Sequence, residues 1–294
     1  MNIYMRKLIT AVAVLSAAFY STTAFADWKP AGDKIKTAWA EKVNPQNALP
    51  EYPRPIMERA QWLNLNGLWD YAITAKDAPR PDKFDGQILV PFAVESSLSG
   101  VGKMLGENKS LWYERSIEIP ADWKGKNILL NFGAVDWKAD EYVNRAKIGE
   151  HTGGYTPFSF DITKSLKDGK NTLAVRVWDS TGGTLPHGKQ TTKPEGIFYT
   201  SVSGIWQTVW LEPVCATHIS KLKITPDLDS SSFAITVSSR RKSKNSRQWQ
   251  SRRRSGSSRE QSRKYSRCQS QALVAQLAVP LRPRNLPLER RSES

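Results

Sequence analysis

From Trp62 to Pro213 the chain consists of short runs in which apolar and polar side chains alternate, broken at short intervals by turn-forming residues. A period of two is the signature of a strand with one buried face, and no segment of this region sustains the 3.6-residue period of a helix. Candidate strands are Leu68–Thr74, Ile88–Pro91, Leu111–Ile119, Asn127–Val135, Glu141–Ile148, Phe158–Ile162, Thr172–Trp178 and Trp206–Glu212. The alternation is cleanest in Tyr113–Ile119 and Thr172–Trp178. Lys124-Gly125-Lys126, Gly153-Gly154 and Asp168-Gly169 punctuate the runs as turns. Many short antiparallel strands at this spacing predict an all-β jelly-roll sandwich over 62–213, long enough to bury one substantial core.

The flanks differ. Residues 27–61 hold Pro45, Pro50, Pro53 and Pro55, each of which holds its predecessor extended, so this stretch reads as a lead-in that wraps the sandwich. Over 214–239, His218–Ile224 and Phe233–Ser238 read as two strands joined across Pro226–Ser232, and a stable sheet needs a third. The composition changes abruptly at Arg240. The last 55 residues carry 16 of the 43 Lys and Arg and 3 of the 28 Asp and Glu, leaving the preceding 239 residues nearly neutral at 27 against 25. The tail's 13 Arg and 11 Ser show no apolar periodicity, so it reads as a disordered basic segment. Two explanations stand: a segment that neutralises RNA phosphates, or a shifted reading frame. The break inside a strand pattern and the secretory leader make nucleic acid the weaker expectation.

That leader is residues 1–26. Arg6 and Lys7 precede the apolar run Leu8–Tyr20, and Ala24-Phe25-Ala26 offers a small-x-small cleavage site before Asp27. The run has 13 residues, short of the roughly 20 that span a bilayer, so a cleaved signal and a periplasmic or secreted product are expected, with no membrane span. Cys215 and Cys268 form no metal spacing and read as incidental.

Catalytic motifs are sparse. The sequence has no GxSxG, GxxxxGK[ST] or GxGxxG, and its three histidines, His151, His187 and His218, have no partners at triad or metal spacing. No metal and no cofactor is expected. Of the ten tryptophans before the tail, Trp69, Trp178, Trp206 and Trp210 lie in strand patterns and read as core, where a buried indole wants one polar partner.

Six motifs together carry a family likeness: Trp62–Tyr71 (WLNLNGLWDY), Val90–Gly102 (VPFAVESSLSGVG), Leu111–Pro120 (LWYERSIEIP), Asn131–Trp137 (NFGAVDW), His151–Thr163 (HTGGYTPFSFDIT) and Ser203–Pro213 (SGIWQTVWLEP). In order and spacing they resemble the N-terminal domain of glycoside hydrolase family 2, which includes β-galactosidases, β-glucuronidases and β-mannosidases. The resemblance implies a galactose-binding-like jelly roll at 62–213, an incomplete immunoglobulin-like sandwich beginning at 214–239, and carbohydrate (β-glycosides) as partner. It further implies that catalysis belongs to a (β/α)₈ barrel with two glutamates, one preceded by Asn. The sequence contains no Asn-Glu dipeptide, so no catalytic residue is assigned and a fragment inactive by itself is expected. A free-standing carbohydrate-binding module is the alternative. Two loops match sugar-subsite positions of the family: Gly106–Ser110, with Asn108, and His187–Gly196, with Glu195. An amide and a carboxylate suit sugar hydroxyls because both form directional hydrogen bonds.

Overall fold

The computed structural model describes residues 28–182, 184–229, 232–241 and 278–280. The leader at 1–26 and all of the Arg/Ser-rich stretch except Arg240–Arg241 and Ala278–Pro280 lie outside the described residues. Strands follow in the order β1 (Leu63–Asn64), β2 (Gly67–Ala75), β3 (Gly86–Val90), β4 (Lys109–Glu118), β5 (Asn127–Phe132), β6 (Val135–Asp136), β7 (Lys138–Val143), β8 (Ala146–Thr152), β9 (Phe158–Asp161), β10 (Lys170–Trp178), β11 (Gln190–Thr191), β12 (Tyr199–Thr200), β13 (Gly204–Ile205), β14 (Val209–Val214), β15 (Thr217–Asp227), β16 (Ser232–Arg241) and β17 (Ala278–Pro280). Helical elements among the described residues are short 3₁₀ turns, so none is long and apolar enough to cross a membrane.

Two antiparallel sheets face each other. One has the order β3-β2-β4-β10-β7-β8 and the other β1-β14-β5-β9. The alternation read from the sequence decides what lies between them. Trp69, Leu111, Tyr113, Leu173, Val175 and Val177 from the larger sheet pack on Leu130, Phe132, Val209 and Leu211 from the smaller. Burying each such side chain contributes about 1.5–3 kcal/mol, and this supplies the drive for closing the jelly-roll sandwich. Tyr113 also anchors a crossing segment, because its hydroxyl accepts the Ile205 N–H at 3.1 Å.

The structure corrects two local readings. The run Glu141–Ile148 is not one strand but the hinge of the β7–β8 hairpin. Asn144 (φ 50°) and Arg145 (φ 70°) both adopt the left-handed region there. That is the signature of a type I′ turn. Nothing in the local sequence marks this turn, because Arg145 stands where glycine usually does. Trp69 and Trp210 are buried as expected. Trp178 and Trp206 are only half-buried and stand at one end of the sandwich.

The lead-in is pinned to the smaller sheet through Glu212 of β14, which is fully buried. Its carboxylate accepts from Tyr52 Oη (2.6 Å), Arg54 Nη2 (2.6 and 2.8 Å), Arg59 Nε (2.6 Å) and Trp210 Nε1 (2.8 Å). Burial alone would raise the Glu212 pKa, but these donors and the two guanidinium charges outweigh it and hold the carboxyl below its usual range. Beyond β14, the two strands expected at 214–239 are β15 and β16, and β17 pairs with β16 as the third strand of that sheet. Cys215, read as incidental, is disulfide-bonded.

Candidate functional site

The register of the larger sheet gathers one set of loops at a single end. There Ala75 lies opposite Lys109, Val177 opposite Leu111, and Trp178 opposite Lys138. The segments 76–85, 101–108, 152–157 and 179–203 therefore all leave the sandwich at this end, and both sequence-predicted subsite residues belong to it.

Asn108 is exposed in the turn ahead of β4. Its backbone carbonyl accepts the Lys76 N–H at 2.9 Å. The neighbouring Glu107 carbonyl accepts the Trp178 indole N–H at 2.6 Å. Half-burial of Trp178 is thus explained: its indole braces the Asn108 turn, and the Lys76 ammonium sits 3.7 Å from its ring centroid. Glu195 is exposed between β11 and β12, in a turn closed by the Phe198 N–H on the Glu195 carbonyl at 3.0 Å. The two strands beside it pair in parallel, Gln190 opposite Tyr199. No hydrogen bond among the described residues joins the Asn108 and Glu195 side chains. They share an end of the sandwich and are presented to solvent from separate loops.

Beneath the Glu195 loop lies a cluster that sequence reasoning missed. Glu95, Asp136 and Asp179 are 2%, 5% and 5% exposed. Ser203 bridges two of them, its N–H donating to Glu95 Oε2 (2.9 Å) and its hydroxyl to Asp179 Oδ2 (2.8 Å). Thr181 gives its N–H to Asp179 Oδ1 (3.0 Å) and its hydroxyl to Asp179 Oδ2 (2.9 Å). Gln190, which lies beside Asp136, accepts the Val202 N–H at 2.6 Å. Burial, reinforced by the charge of Asp179, pushes the Glu95 carboxyl up to about 7. Asp136 is pushed up to about 7 by burial and by the charges of Asp179 and Glu95.

The chemical meaning is that of a fastener. Glu95 and Asp179 accept from backbone N–H groups and hydroxyls of Thr181 and Ser203, so the cluster clamps the 179–203 segment rather than offering an open acid–base pair. Among the described residues no group of His, Cys, Asp and Glu is arranged to hold a metal ion. The only sequence hints of the clamp are Asp136 inside VDW and Asp179 at the end of a clean strand. Neither hint reveals a partner as remote as Ser203.

The histidines are satisfied locally. His151 stacks on Phe158 at 4.0 Å and pairs with Thr156 Oγ1 at 3.2 Å. His187 Nδ1 meets the Gln190 carbonyl at 3.0 Å, and His218 Nδ1 meets that of Cys215 at 3.0 Å. Trp206 donates to the Gly154 carbonyl at 2.8 Å and takes the Tyr155 ring edge-on at 5.7 Å. Exposed Tyr155, Ile197, Phe198 and Tyr199 give this end an apolar rim.

Comparison with known proteins follows the same stretch of chain. Residues 92–213 match the family model described as glycosyl hydrolases family 2, sugar binding domain. A β-galactosidase of Thermoanaerobacter pseudethanolicus is 37% identical over 120 residues, which is 40% of this chain and 15% of that protein. A β-glucuronidase of Bacteroides fragilis is 48% identical over 66 residues, 22% of this chain and 10% of that protein. The chain therefore spans a small part of the length of these relatives. Among solved structures, Bifidobacterium dentium β-glucuronidase complexed with coumarin-3-O-glucuronide aligns at 21% identity and a TM-score of 0.48, over 63% of this chain and 37% of that one.

Proposed function

We propose that this chain, whose residues 92–213 form a family 2 sugar-binding domain, serves as the carbohydrate-gripping lobe of a secreted β-galactosidase- or β-glucuronidase-like glycosidase and hydrolyses no glycoside by itself. The family match carries the reading, because it spans both the turn bearing Asn108 and the loop bearing Glu195. On this reading Asn108 donates and accepts toward sugar hydroxyls, Glu195 accepts from them, and the buried clamp under Glu195 holds its loop in place so that little ordering entropy is lost on binding.

Cleavage in a retaining glycosidase needs a protonated carboxyl and a nucleophilic carboxylate about 5–5.5 Å apart, both facing the anomeric carbon. Glu95, Asp136 and Asp179 form a close-set group of acids, and the oxygens of Glu95 and Asp179 are turned to Ser203 and Thr181. They fasten a loop instead of flanking a sugar. The test is direct. The purified chain titrated with galactose and with glucuronic acid should bind in the millimolar range, and Asn108→Ala and Glu195→Ala should each weaken binding about three- to tenfold, the loss of one or two hydrogen bonds. Release of nitrophenol from aryl β-galactoside or β-glucuronide above a mock preparation would falsify the non-catalytic role. Secretion is checked separately: the amino terminus of the exported protein should be Asp27.

A further inference from the structure

The outer face of the larger sheet carries a groove that adjoins the Asn108 turn at one end, through Lys76 and Trp178. The register places Glu114, Ala174 and Tyr142 in one row across β4, β10 and β7, and Trp112, Arg176 and Asp140 in the next. Ala174 is the low point. The Trp112 and Tyr142 rings lean toward each other from the strands on either side of β10, 5.7 Å apart and tilted by 35°. The 77–82 loop arches over this floor and is tied down by Arg80, whose Nε donates to Glu114 Oε2 at 2.7 Å. The enclosed space is about 340 Å³, within the range of small-molecule sites, which begins near 300 Å³. A second space of about 260 Å³, bordered by Lys138, Asp140 and Trp178, adjoins it through the shared residues Asp77 and Arg176.

Two properties of this groove point to its ligand. Its larger space is lined by as many carboxylates (Asp77, Asp82 and Glu114) as guanidiniums (Arg80, Arg145 and Arg176), and Arg80 pairs with Glu114 while Arg176 lies 3.6 Å from Asp140. A phosphate or polyanion would meet as many carboxylates as guanidiniums in the larger space. A neutral ligand rich in hydroxyls fits, since each hydroxyl both donates and accepts and the walls alternate guanidinium and carboxylate. The second property is Arg145. Its φ of 70° is a conformation that favours glycine, yet a guanidinium stands there and borders the groove. Residues held in the left-handed region without being glycine concentrate where a side chain is needed.

We infer that this groove is a second carbohydrate site, taking two units of a neutral glycan, one ring against Tyr142 beneath the Arg80 arch and the next beside Trp178. The inference rests on the carbohydrate role proposed above but places the sugar on another surface. The test is a titration of the ¹⁵N-labelled full chain with lactose and cellobiose, followed by amide shifts. Perturbations at Tyr142, Arg145 and Ala174 are expected. Ala174→Leu, which fills the floor, should weaken disaccharide binding about tenfold, and exposed Arg145→Ala about threefold, on the scale of one lost polar contact. Neither should alter shifts caused by galactose at 187–199. Perturbation confined to 106–110 and 187–199, with none at Tyr142, Arg145 and Ala174, overturns the second site and leaves the proposed function standing. Silence at both places overturns both. Because the map is read on the unsubstituted chain, misfolding of Ala174→Leu cannot imitate a negative result.

Discussion

Glu141 lies on β7 directly across from Val175, on the inner face that Ala139 and Val143 share. It is fully buried, and neither carboxyl oxygen meets a hydrogen-bond partner of good geometry. Burial, with the charge of Asp140 adding to it, pushes its pKa up to about 8. The folded state therefore holds a proton that the unfolded chain releases from about pH 4.5 upward, so this residue's contribution to stability falls as pH rises toward 8. Glu141→Gln should leave the melting temperature little changed at pH 5 and stabilise the protein by about 1–2 kcal/mol at pH 8, as removal of a poorly compensated buried acid requires. Thermal denaturation at the two pH values decides it, and an equal effect at both would count against the protonation account. Gly204 is the opposite case, a residue that must stay small. Its φ is 91°, and a Cβ built there falls 2.1 Å from the Tyr113 hydroxyl. Gly204→Ala should cost about 3 kcal/mol in urea titrations, from backbone strain and overpacking together.

At the scale of elements, two connections govern how the sandwich is finished. The β7–β8 turn keeps Asn144 and Arg145 in the left-handed region, which costs an ordinary residue roughly 1 kcal/mol. Arg145→Gly should recover about 0.5–1 kcal/mol of stability, the Asn-Gly pair being the favoured one for this turn. If the groove holds a glycan, the same change should weaken disaccharide binding, so stability and affinity move in opposite directions. The second connection is the Glu212 clamp on the lead-in. Replacing one member of a buried charged network leaves its partners unpaired, at a cost of about 3–5 kcal/mol. Glu212→Ala should show that loss in denaturant, and limited proteolysis should open new cuts between Tyr52 and Arg59. Unchanged protease resistance would mean that the lead-in is held by other contacts.

Across the whole molecule these carboxyls set a pH profile with two limbs. Glu95, Asp136 and Glu141 are raised to about 7, 7 and 8, so each withdraws stability as pH climbs from about 4 to its own folded pKa. Glu212 is lowered, so its clamp acts at full strength above the unfolded carboxylate value and is lost as pH falls through its own folded pKa. Stability should peak near pH 4, where the gain from Glu212 and the losses from the three raised acids offset, and decline on both sides, an outcome that a series of urea midpoints from pH 2 to pH 9 reads directly. A profile flat from 5 to 8 would show that the buried acids ionise freely in the folded state.

How much of this was legible beforehand follows from what each feature depends on. Alternation within Tyr113–Ile119 and Thr172–Trp178 already says which side chains face inward, because the period of a strand is a local property of the backbone. The sandwich class and the core identity of Trp69 and Trp210 follow from it, and the family motifs place Asn108 and Glu195 on loops. The β7–β8 turn was hidden by a single arginine in a glycine position. The rest is non-local. Ser203 joins Glu95 and Asp179 across separations of 108 and 24 residues, and Glu212 gathers Arg54 and Arg59 from more than 150 residues away. The arch of Arg80 over Glu114 depends on where a loop lands. A buried acid becomes a clamp, and a flat sheet face becomes a groove, only when chain closure sets remote groups at hydrogen-bond distance in a medium that has excluded water. The residues' own periodicity therefore determined that this chain makes strands and which faces they bury. Tertiary packing alone decided which polar groups would meet, because that depends on distance in space and not on spacing along the chain.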